Sequence, residues 1–259
     1  MFILKRYQKF YKSNGLVKSM IKIISTPLRL IEKRNYNKNK KNIFSHDSNK
    51  KKFELIYKSN FWSSKESVSG LGSEYKNTIN LRNEIVKLIK NYKIESILDA
   101  PCGDFNWINS LINKNLKYIG GDIVSNLIDQ NNKIYKNDNI IFIPLDITSD
   151  KLPNSNLMIC RDCLIHLSFK NIKLFFENFR NSNINYLLLT SYKLKDSSKV
   201  IKNIDITDGE FREIDLSVHP FNLPEPLFKI LDKDEQNKTS GYFCYLNLYS
   251  KKQIQEMIS

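Results

Sequence analysis

Residues 96–103 read SILDAPCG, and this stretch decides the fold. Its first five residues have the length and apolar character of a short buried strand, and the Pro-Cys-Gly that follows closes the strand with a turn. Gly103 lets the backbone approach a ligand closely. A helix is expected to follow from Phe105 to Ile112. The stretch therefore predicts a strand, a tight turn and a helix, which is half of a βαβ unit.

The same alternation of apolar runs and helical spacings continues on both sides of this stretch. Strands are predicted for residues 117–120 (KYIG), 140–143 (IIFI), 156–160 (NLMIC), 186–190 (YLLLT) and 241–249, and helices for residues 81–92, 125–135 and 172–179. Strands separated by helices of about ten to fifteen residues indicate βαβ units. The fold class predicted from this pattern is α/β, with a mostly parallel sheet.

Acidic residues follow the ends of successive predicted strands: Asp99, Asp122, Asp146 and Asp162. In an open parallel sheet these ends meet at one edge, where ligands bind. Asp122 ends the second strand, where a nucleoside-binding fold places an acid for the ribose hydroxyls. The turn at 101–103 lacks the GxGxxG glycines that make room for a pyrophosphate. A nucleoside cofactor without phosphates is therefore favoured over NAD.

With these residues the chain resembles the class I S-adenosylmethionine-dependent methyltransferases. The resemblance implies a Rossmann-like fold, with a mostly parallel seven-stranded sheet flanked by helices, and S-adenosylmethionine as the cofactor. It places Asp99, Ala100, Pro101, Cys102 and Gly103 beside the methionine moiety, Asp122 at the ribose, and Asp146 and Ile147 at the adenine, with Ser69, Gly70, Trp107, Ile123 and Arg161 as further cofactor-binding residues. The chain departs from the family's pattern because the glycine-rich turn is reduced to one glycine. Ser69 and Gly70 belong to a hydroxyl-rich loop, which is either a plain linker or a lid over the cofactor.

A narrower resemblance is carried by five motifs in order along the chain. They are ESVSGLGS (66–73), DAPCGDFNW (99–107), CRDCLIHLS (160–168), NYLLLTSY (185–192) and PFNLPEP (220–226). They look like a methyltransferase group of bacterial surface-glycan gene clusters, some of whose members are implicated in making O-methyl phosphoramidate. This resemblance implies an O-methyltransferase that acts on a polar, anionic capsule or surface-glycan precursor. A small-metabolite methyltransferase and an RNA-binding methyltransferase are the alternatives.

His166 and Asp162 are the predicted catalytic residues. They are four residues apart, so a helix would place them on one face. With a reference pKa of about 6.5, a histidine can take the proton of an acceptor hydroxyl. An acceptor that is already anionic needs no base, and Arg161 and Arg212 then become the relevant cations. If these residues have no functional role, His166 is a satisfied surface or core residue, and Arg161 and Arg212 each pair with a surface acid.

The predicted substrate-binding residues are Arg212, Phe221 and Tyr192. No metal site is predicted, because the pair Cys160 and Cys163 has no second CxxC pair and is expected to pack in the core. The residues after the fourth strand lack both the Pro-Cys of cytosine methyltransferases and the Asp/Asn-Pro-Pro-aromatic of amino-methyltransferases. Nucleic acid is therefore not the expected substrate.

Positive charge is concentrated at the N-terminus of this 259-residue chain, whose net charge is +14. Residues 1–52 hold fifteen Lys and Arg against two acids, whereas residues 53–259 hold 26 against 25. We therefore predict a basic N-terminal arm (1–52), with two amphipathic helices broken at Pro27 and a linker over residues 35–42, and a methyltransferase domain (53–259).

The arm has several interpretations. Its helices either pack on the domain or on a partner subunit, or residues 1–34 lie on an anionic membrane surface; nucleic acid is the least favoured contact. Because no signal peptide or spanning segment is recognised and cysteines are few, we expect a cytoplasmic protein, with the inner membrane face as the alternative. The sequence leaves the oligomeric state open.

Overall fold

The computed structural model describes residues 30–31, 34–232 and 240–258, in two compact units, Met1–His46 and Asp47–Ser259. In the first unit, residues 34–44 are helical. The predicted linker at 35–42 is therefore wrong: no Gly or Pro interrupts this stretch, and its lysines are good helix formers. Of the amphipathic face predicted for the arm, only the exposed Ile31 lies within the described residues.

The second unit is built on a seven-stranded sheet, which confirms the predicted fold class. Its strands are β1 (Ser96–Asp99), β2 (Lys117–Asp122), β3 (Ile140–Pro144), β4 (Leu157–Cys160), β5 (Tyr186–Leu194), β6 (Phe228–Asp232) and β7 (Tyr242–Ser250). Their order is β3-β2-β1-β4-β5-β7-β6, in which β1 to β5 are parallel and β7 pairs antiparallel with both neighbours. The strand order reverses between β1 and β4, where an open α/β sheet binds its ligands.

Five α-helices accompany the sheet in the described part of the second unit. They are α1 (Asn49–Lys58), α2 (Ile79–Asn91), α3 (Ser125–Tyr135), α4 (Phe169–Asn181) and α5 (Lys251–Ile258). α1 crosses the boundary predicted at residue 52, because the compact units divide after His46. Within the described part of the chain, no helix is both long and apolar enough to cross a membrane.

The helix predicted for residues 105–112 is not formed. Apart from one 3-10 turn at Asn109–Leu111, this stretch consists of turns. Gly103 and Phe105 both have left-handed backbones, with φ of 54° and 59°. The Phe105 ring is fully buried, with its centroid 4.7 Å from that of Tyr118. Burial of this ring holds the chain in a conformation from which no α-helix can start.

Alternate residues of the central strands bury opposite faces of the sheet. Leu98 and Met158 join the α4 aromatics in one cluster, whereas Ile97 and Leu157 join the apolar face of α2 in the other. Strands packed on both faces hold their carboxyl ends in fixed positions. The residues that follow β1, β2 and β4 are therefore presented from a rigid frame.

Candidate active site

A cavity of about 360 Å³ lies at the carboxyl ends of β1, β2 and β4. Its wall comes from one face of α1, from residues 62–73, which we call the strap, and from the turns after β1 to β4; Phe211 also lines it. The volume is in the range of small-molecule sites, and the location is the reversal of strand order. We call the turns after β1, β2 and β3 the cofactor side, and Trp62, His166 and Phe211 the acceptor side.

Asp99 is the first fixed group on the cofactor side. Its carboxylate is 1% exposed, and Oδ2 accepts a hydrogen bond of 2.7 Å from the Tyr118 hydroxyl. Burial raises the pKa of Asp99 to about 7, although the Tyr118 hydrogen bond lowers it. The free protein thus holds this carboxyl close to its midpoint of ionisation at neutral pH.

Asp122, at the end of β2, is oriented by two backbone amides. Oδ2 accepts from the Gly103 N–H at 3.2 Å, and Oδ1 accepts from the Val124 N–H at 3.0 Å. Burial raises the pKa of Asp122 to about 6, while these amides lower it. Each carboxylate oxygen retains lone pairs beyond these bonds. Asp122 can therefore accept further hydrogen bonds from a ligand in the cavity.

Hydrogen bonds hold the strap against the turn after β1, which belongs to the cofactor side. Asp104 accepts from the Ser67 hydroxyl at 3.0 Å and from the Val68 N–H at 2.9 Å. A Cβ added at Gly103 would lie 2.1 Å from Ser69 Oγ, so only glycine leaves room for the strap here. The loop predicted as a linker or a lid is thus held over the turn, with Ser69 and Gly70 in the cavity wall.

The structure brings most of the other predicted cofactor residues to the same wall. Pro101, Cys102, Trp107, Ile123, Asp146 and Ile147 line the cavity. Ala100 is fully buried and is not part of the wall. Asp146 Oδ1 accepts from the Thr148 N–H at 2.9 Å and from its hydroxyl at 2.6 Å. Asp146 therefore also shapes its own turn.

Arg161 follows β4 and bonds both to β6 and to the strap. Its Nε donates to Asp232 Oδ2 at 2.8 Å, and its Nη2 donates to the Gly72 carbonyl at 2.8 Å. The guanidinium also lies over the Trp107 ring. Burial alone would lower the pKa of Arg161, but the Asp232 carboxylate raises it well above its usual range. Arg161 lines the cavity as a cation that is already neutralised.

His166 has a defined tautomer. Its Nδ1 lies 2.8 Å from the Glu210 carbonyl oxygen, which only accepts hydrogen bonds, so Nδ1 carries the hydrogen. In the neutral ring, Nε2 then holds the lone pair of a base. The ring stacks on Trp62 with a centroid distance of 5.1 Å, and Phe211 lies 5.8 Å away.

Asp162 and His166 both line the cavity, but not through a shared helical face. Asp162 has a left-handed backbone, and its N–H donates to the Thr190 hydroxyl at 2.9 Å. Only one 3-10 turn, Leu164–His166, separates it from α4. The helical face expected for the pair is therefore wrong, because the chain turns sharply after β4.

The three predicted substrate-binding residues are not brought to the cavity wall. Tyr192 and Phe221 are buried in the hydrophobic cluster that includes Phe176. Arg212 is 4% exposed and lies over the Phe169 ring. Its guanidinium nitrogens have no hydrogen-bond partner among the described residues, and burial lowers its pKa to about 10. Arg212 therefore forms no ion pair with the neighbouring acids.

Several wall residues were missed from the sequence. Asn49, Phe53 and Tyr57 face the cavity from α1, at the four-residue spacing that places side chains on one helical face. Phe211 and Trp62 line the acceptor side. The spacing on α1 is a signal that could have been recognised, but the predicted domain boundary at residue 52 divided this helix.

The chain matches no protein-family model, and no curated protein sequence is similar to it. The solved structures that it resembles include three methyltransferases. The methyltransferase domain of bacterial CtHen1 has a TM-score of 0.39 and 12% identity, covering 44% of this chain and 65% of that one. Human N-acetylserotonin methyltransferase, in complex with S-adenosylmethionine, has a TM-score of 0.51 and 14% identity, covering 75% and 58%. The O-methyltransferase of a Brevibacillus brevis polyketide multienzyme, in complex with S-adenosylhomocysteine, has a TM-score of 0.45 and 13% identity, covering 68% and 76%.

The likeness to the human enzyme covers 75% of this chain. The chain spans less than two thirds of the length of the first two of these proteins. Together with the strand order, this likeness shows the Rossmann-like fold of class I methyltransferases.

Proposed function

We propose that this chain is an S-adenosylmethionine-dependent O-methyltransferase. The observation that carries the proposal is the pair of buried carboxylates, Asp99 and Asp122, fixed at the ends of adjacent strands beside the Gly103 turn. A class I methyltransferase fold binds its cofactor at this edge. The fold and the site thus support the same chemistry.

The residues of the cofactor side fit S-adenosylmethionine. Asp122 has lone pairs for the two ribose hydroxyls, and the apolar side chains of Ile123 and Ile147 offer a surface for the adenine. Gly103, with its left-handed backbone, and Ser69 of the strap form the part of the wall that we assign to the methionine end. The carboxylates of Asp99 and Asp162 favour a positively charged ligand.

When bound, S-adenosylmethionine would supply an electrophilic methyl group on a sulfonium, and the sulfur would keep the electron pair of the broken S–CH3 bond as the neutral thioether of S-adenosylhomocysteine. The chain's own contribution is proton removal and alignment. His166 Nε2 takes the proton of the acceptor hydroxyl as the acceptor oxygen takes the methyl group, while Nδ1–H keeps its bond to the Glu210 carbonyl. Trp62 stacks on the imidazole and limits its rotation. The acceptor leaves as a methyl ether.

The acceptor class is supported by the sequence motifs, which point to a capsule or surface-glycan precursor. An anionic acceptor such as a phosphoramidate would need a cation in the cavity. Arg161 is neutralised by Asp232, and Arg212 is not in the wall. The second candidate is a methyltransferase of small metabolites that contain a ring. The aromatic side chains of Trp62 and Phe211 in the cavity wall favour this candidate as much as the glycan precursor. Contact of residues 1–34 with the inner membrane face rests on their positive charge alone.

The test is to measure the binding of S-adenosylhomocysteine by isothermal titration calorimetry. The wild-type protein should bind, and Asp122→Ala should lose at least about 100-fold in affinity because hydrogen bonds to a buried charged acceptor are removed. Asp138→Ala, at an exposed acid outside the cavity, should bind like wild type. Circular dichroism checks that both variants fold. Unchanged affinity in a folded Asp122→Ala variant would sink the cofactor-site assignment.

A further inference from the structure

The acceptor side presents aromatic rings to the cavity. Trp62 and Phe211 both lie against the His166 ring, at centroid distances of 5.1 and 5.8 Å. Phe211 is 54% exposed even though it lines the cavity. A large apolar ring at a cavity mouth is a surface that a ligand with its own apolar face would cover.

The same cavity carries a charge pattern that disfavours anions. Its wall holds four aspartates, at positions 99, 122, 146 and 162, and within the described parts of the chain Arg161 is its only Arg or Lys side chain. Arg161 is committed to Asp232, which is fully buried, and to the strap carbonyl of Gly72. A phosphate placed beside Asp162 would therefore meet like charge with no uncommitted arginine or lysine beside it in the wall.

We propose that the methyl acceptor is a neutral ring that bears a hydroxyl group and has an apolar face, stacked against Trp62 and Phe211. This inference rests on the proposed function and specifies its substrate class. A sugar pyranose and a phenol share this chemistry, because both offer a flat apolar surface and a ring hydroxyl. The charge of the wall selects against their phosphorylated forms. The hydroxyl to be methylated is the one that reaches His166 Nε2.

The experiment compares matched neutral and phosphorylated probes in the presence of saturating S-adenosylhomocysteine. Saturation-transfer difference NMR is recorded with glucose against glucose 6-phosphate, and with hydroquinone against 4-hydroxyphenyl phosphate, so that each phosphorylated probe keeps a free ring hydroxyl. In at least one pair the neutral probe should bind, and its phosphorylated partner should bind about tenfold more weakly or worse. The pair that responds distinguishes a sugar from an aromatic acceptor.

Two variants connect that binding to the aromatic wall. Phe211→Ala and Trp62→Ala should each weaken binding of the neutral probe by about fivefold, which is the usual contribution of one ring contact. Ile204→Ala is the matched control, since Ile204 is exposed in the same region and does not line the cavity. Calorimetry should show S-adenosylhomocysteine binding unchanged in all three.

Three outcomes would overturn the inference: tighter binding of the phosphorylated probes, neutral-probe binding that survives Phe211→Ala unchanged, or binding by neither member of either pair. Absence of S-adenosylhomocysteine binding to the wild type is a different result. It would remove the proposed function itself.

Discussion

The two sides of the cavity are built in different ways. On the cofactor side, Asp99 is fixed by Tyr118 and Asp122 by Gly103, each pair 19 residues apart across the turns that connect the adjacent strands β1 and β2. On the acceptor side, His166 is fixed by Glu210, 44 residues away, and by stacking on Trp62 from the strap. The first side follows from the local order of strands and turns. The acceptor side exists only after distant segments have packed together. Substitutions in those segments can therefore change the acceptor specificity while the cofactor side stays the same.

Arg161 connects β4 with β6 and with the strap, and its replacement should have the largest effect. Arg161→Met leaves the fully buried Asp232 carboxylate without its guanidinium partner, so the free energy of unfolding should fall by about 3–5 kcal/mol. Urea denaturation measures it. Adding Asp232→Leu to Arg161→Met should restore much of the loss, because the buried charge is then gone. If Arg161→Met alone is as stable as wild type, the ion pair with Asp232 does not stabilise the fold.

His166→Ala should separate the two sides by function. Turnover should fall by about 10²- to 10³-fold, because the proton acceptor is removed, while binding of S-adenosylhomocysteine stays at the wild-type value. The measurements are methyl transfer from labelled cofactor to the acceptor found by the probe screen, and calorimetry. Wild-type turnover would return His166 to a structural role, and lost cofactor binding would show that the two sides are not independent.

The cofactor side should also respond to pH. Burial raises the pKa of Asp99 to about 7 and that of Asp122 to about 6, so both carboxyls take up protons in the free protein as the pH falls through this range. Ribose hydroxyls and a sulfonium favour the ionised forms. Affinity for S-adenosylmethionine should therefore fall by up to about tenfold per pH unit between about pH 7 and 6, where Asp99 takes up its proton. It should fall by up to about 100-fold per unit below about pH 6, where both carboxyls do, and be level above about pH 7.

The same shifts act on stability with the opposite sign. A carboxyl whose pKa is raised on folding binds more protons in the folded than in the unfolded state, so the ligand-free protein should lose stability as the pH rises through about 4 to 7. Calorimetry and thermal denaturation across this range check both effects. Asp99→Asn should remove the part of the affinity change closest to neutral pH. An affinity independent of pH would contradict the burial argument.

The same contrast explains what the sequence could predict. Helix Ser125–Tyr135 and strand Tyr242–Ser250 follow from local spacing and were placed to within about one residue. Asp122 followed from its position at a strand end, and the structure places it in the cavity wall. Phe105 was assigned to a helix because its neighbours have helical spacing, yet burial of its ring decides the local backbone.

Assignments on the acceptor side depended on information that local patterns do not contain. Phe221 was expected at the substrate and is in the core, whereas Phe211, which lines the cavity, was not considered. Both are aromatic residues in the same irregular segment after β5. Which one faces the cavity is decided by the register of that segment on the turn before α4, where the Arg212 N–H bonds the Ile165 carbonyl. No short-range spacing specifies such a register.

Replacement of Arg212 should change the free energy of unfolding least, and it contrasts most clearly with replacement of Arg161. Both guanidinium groups are buried, but that of Arg161 is paired with Asp232, whereas that of Arg212 has only the Phe169 ring beneath it among the described residues. Arg212→Met keeps most of the side-chain volume and removes a buried charge that has no hydrogen-bond partner among the described residues, although the carboxylates of Asp205 and Asp208 raise its pKa. The free energy of unfolding should stay within about 1 kcal/mol of wild type or increase, because an apolar side chain has no desolvation cost there. Urea denaturation and cofactor calorimetry should show a protein as stable as wild type with unchanged affinity. A loss of more than about 2 kcal/mol would mean that Arg212 has a partner that stabilises its charge, and would bring it back as a candidate ligand-binding residue.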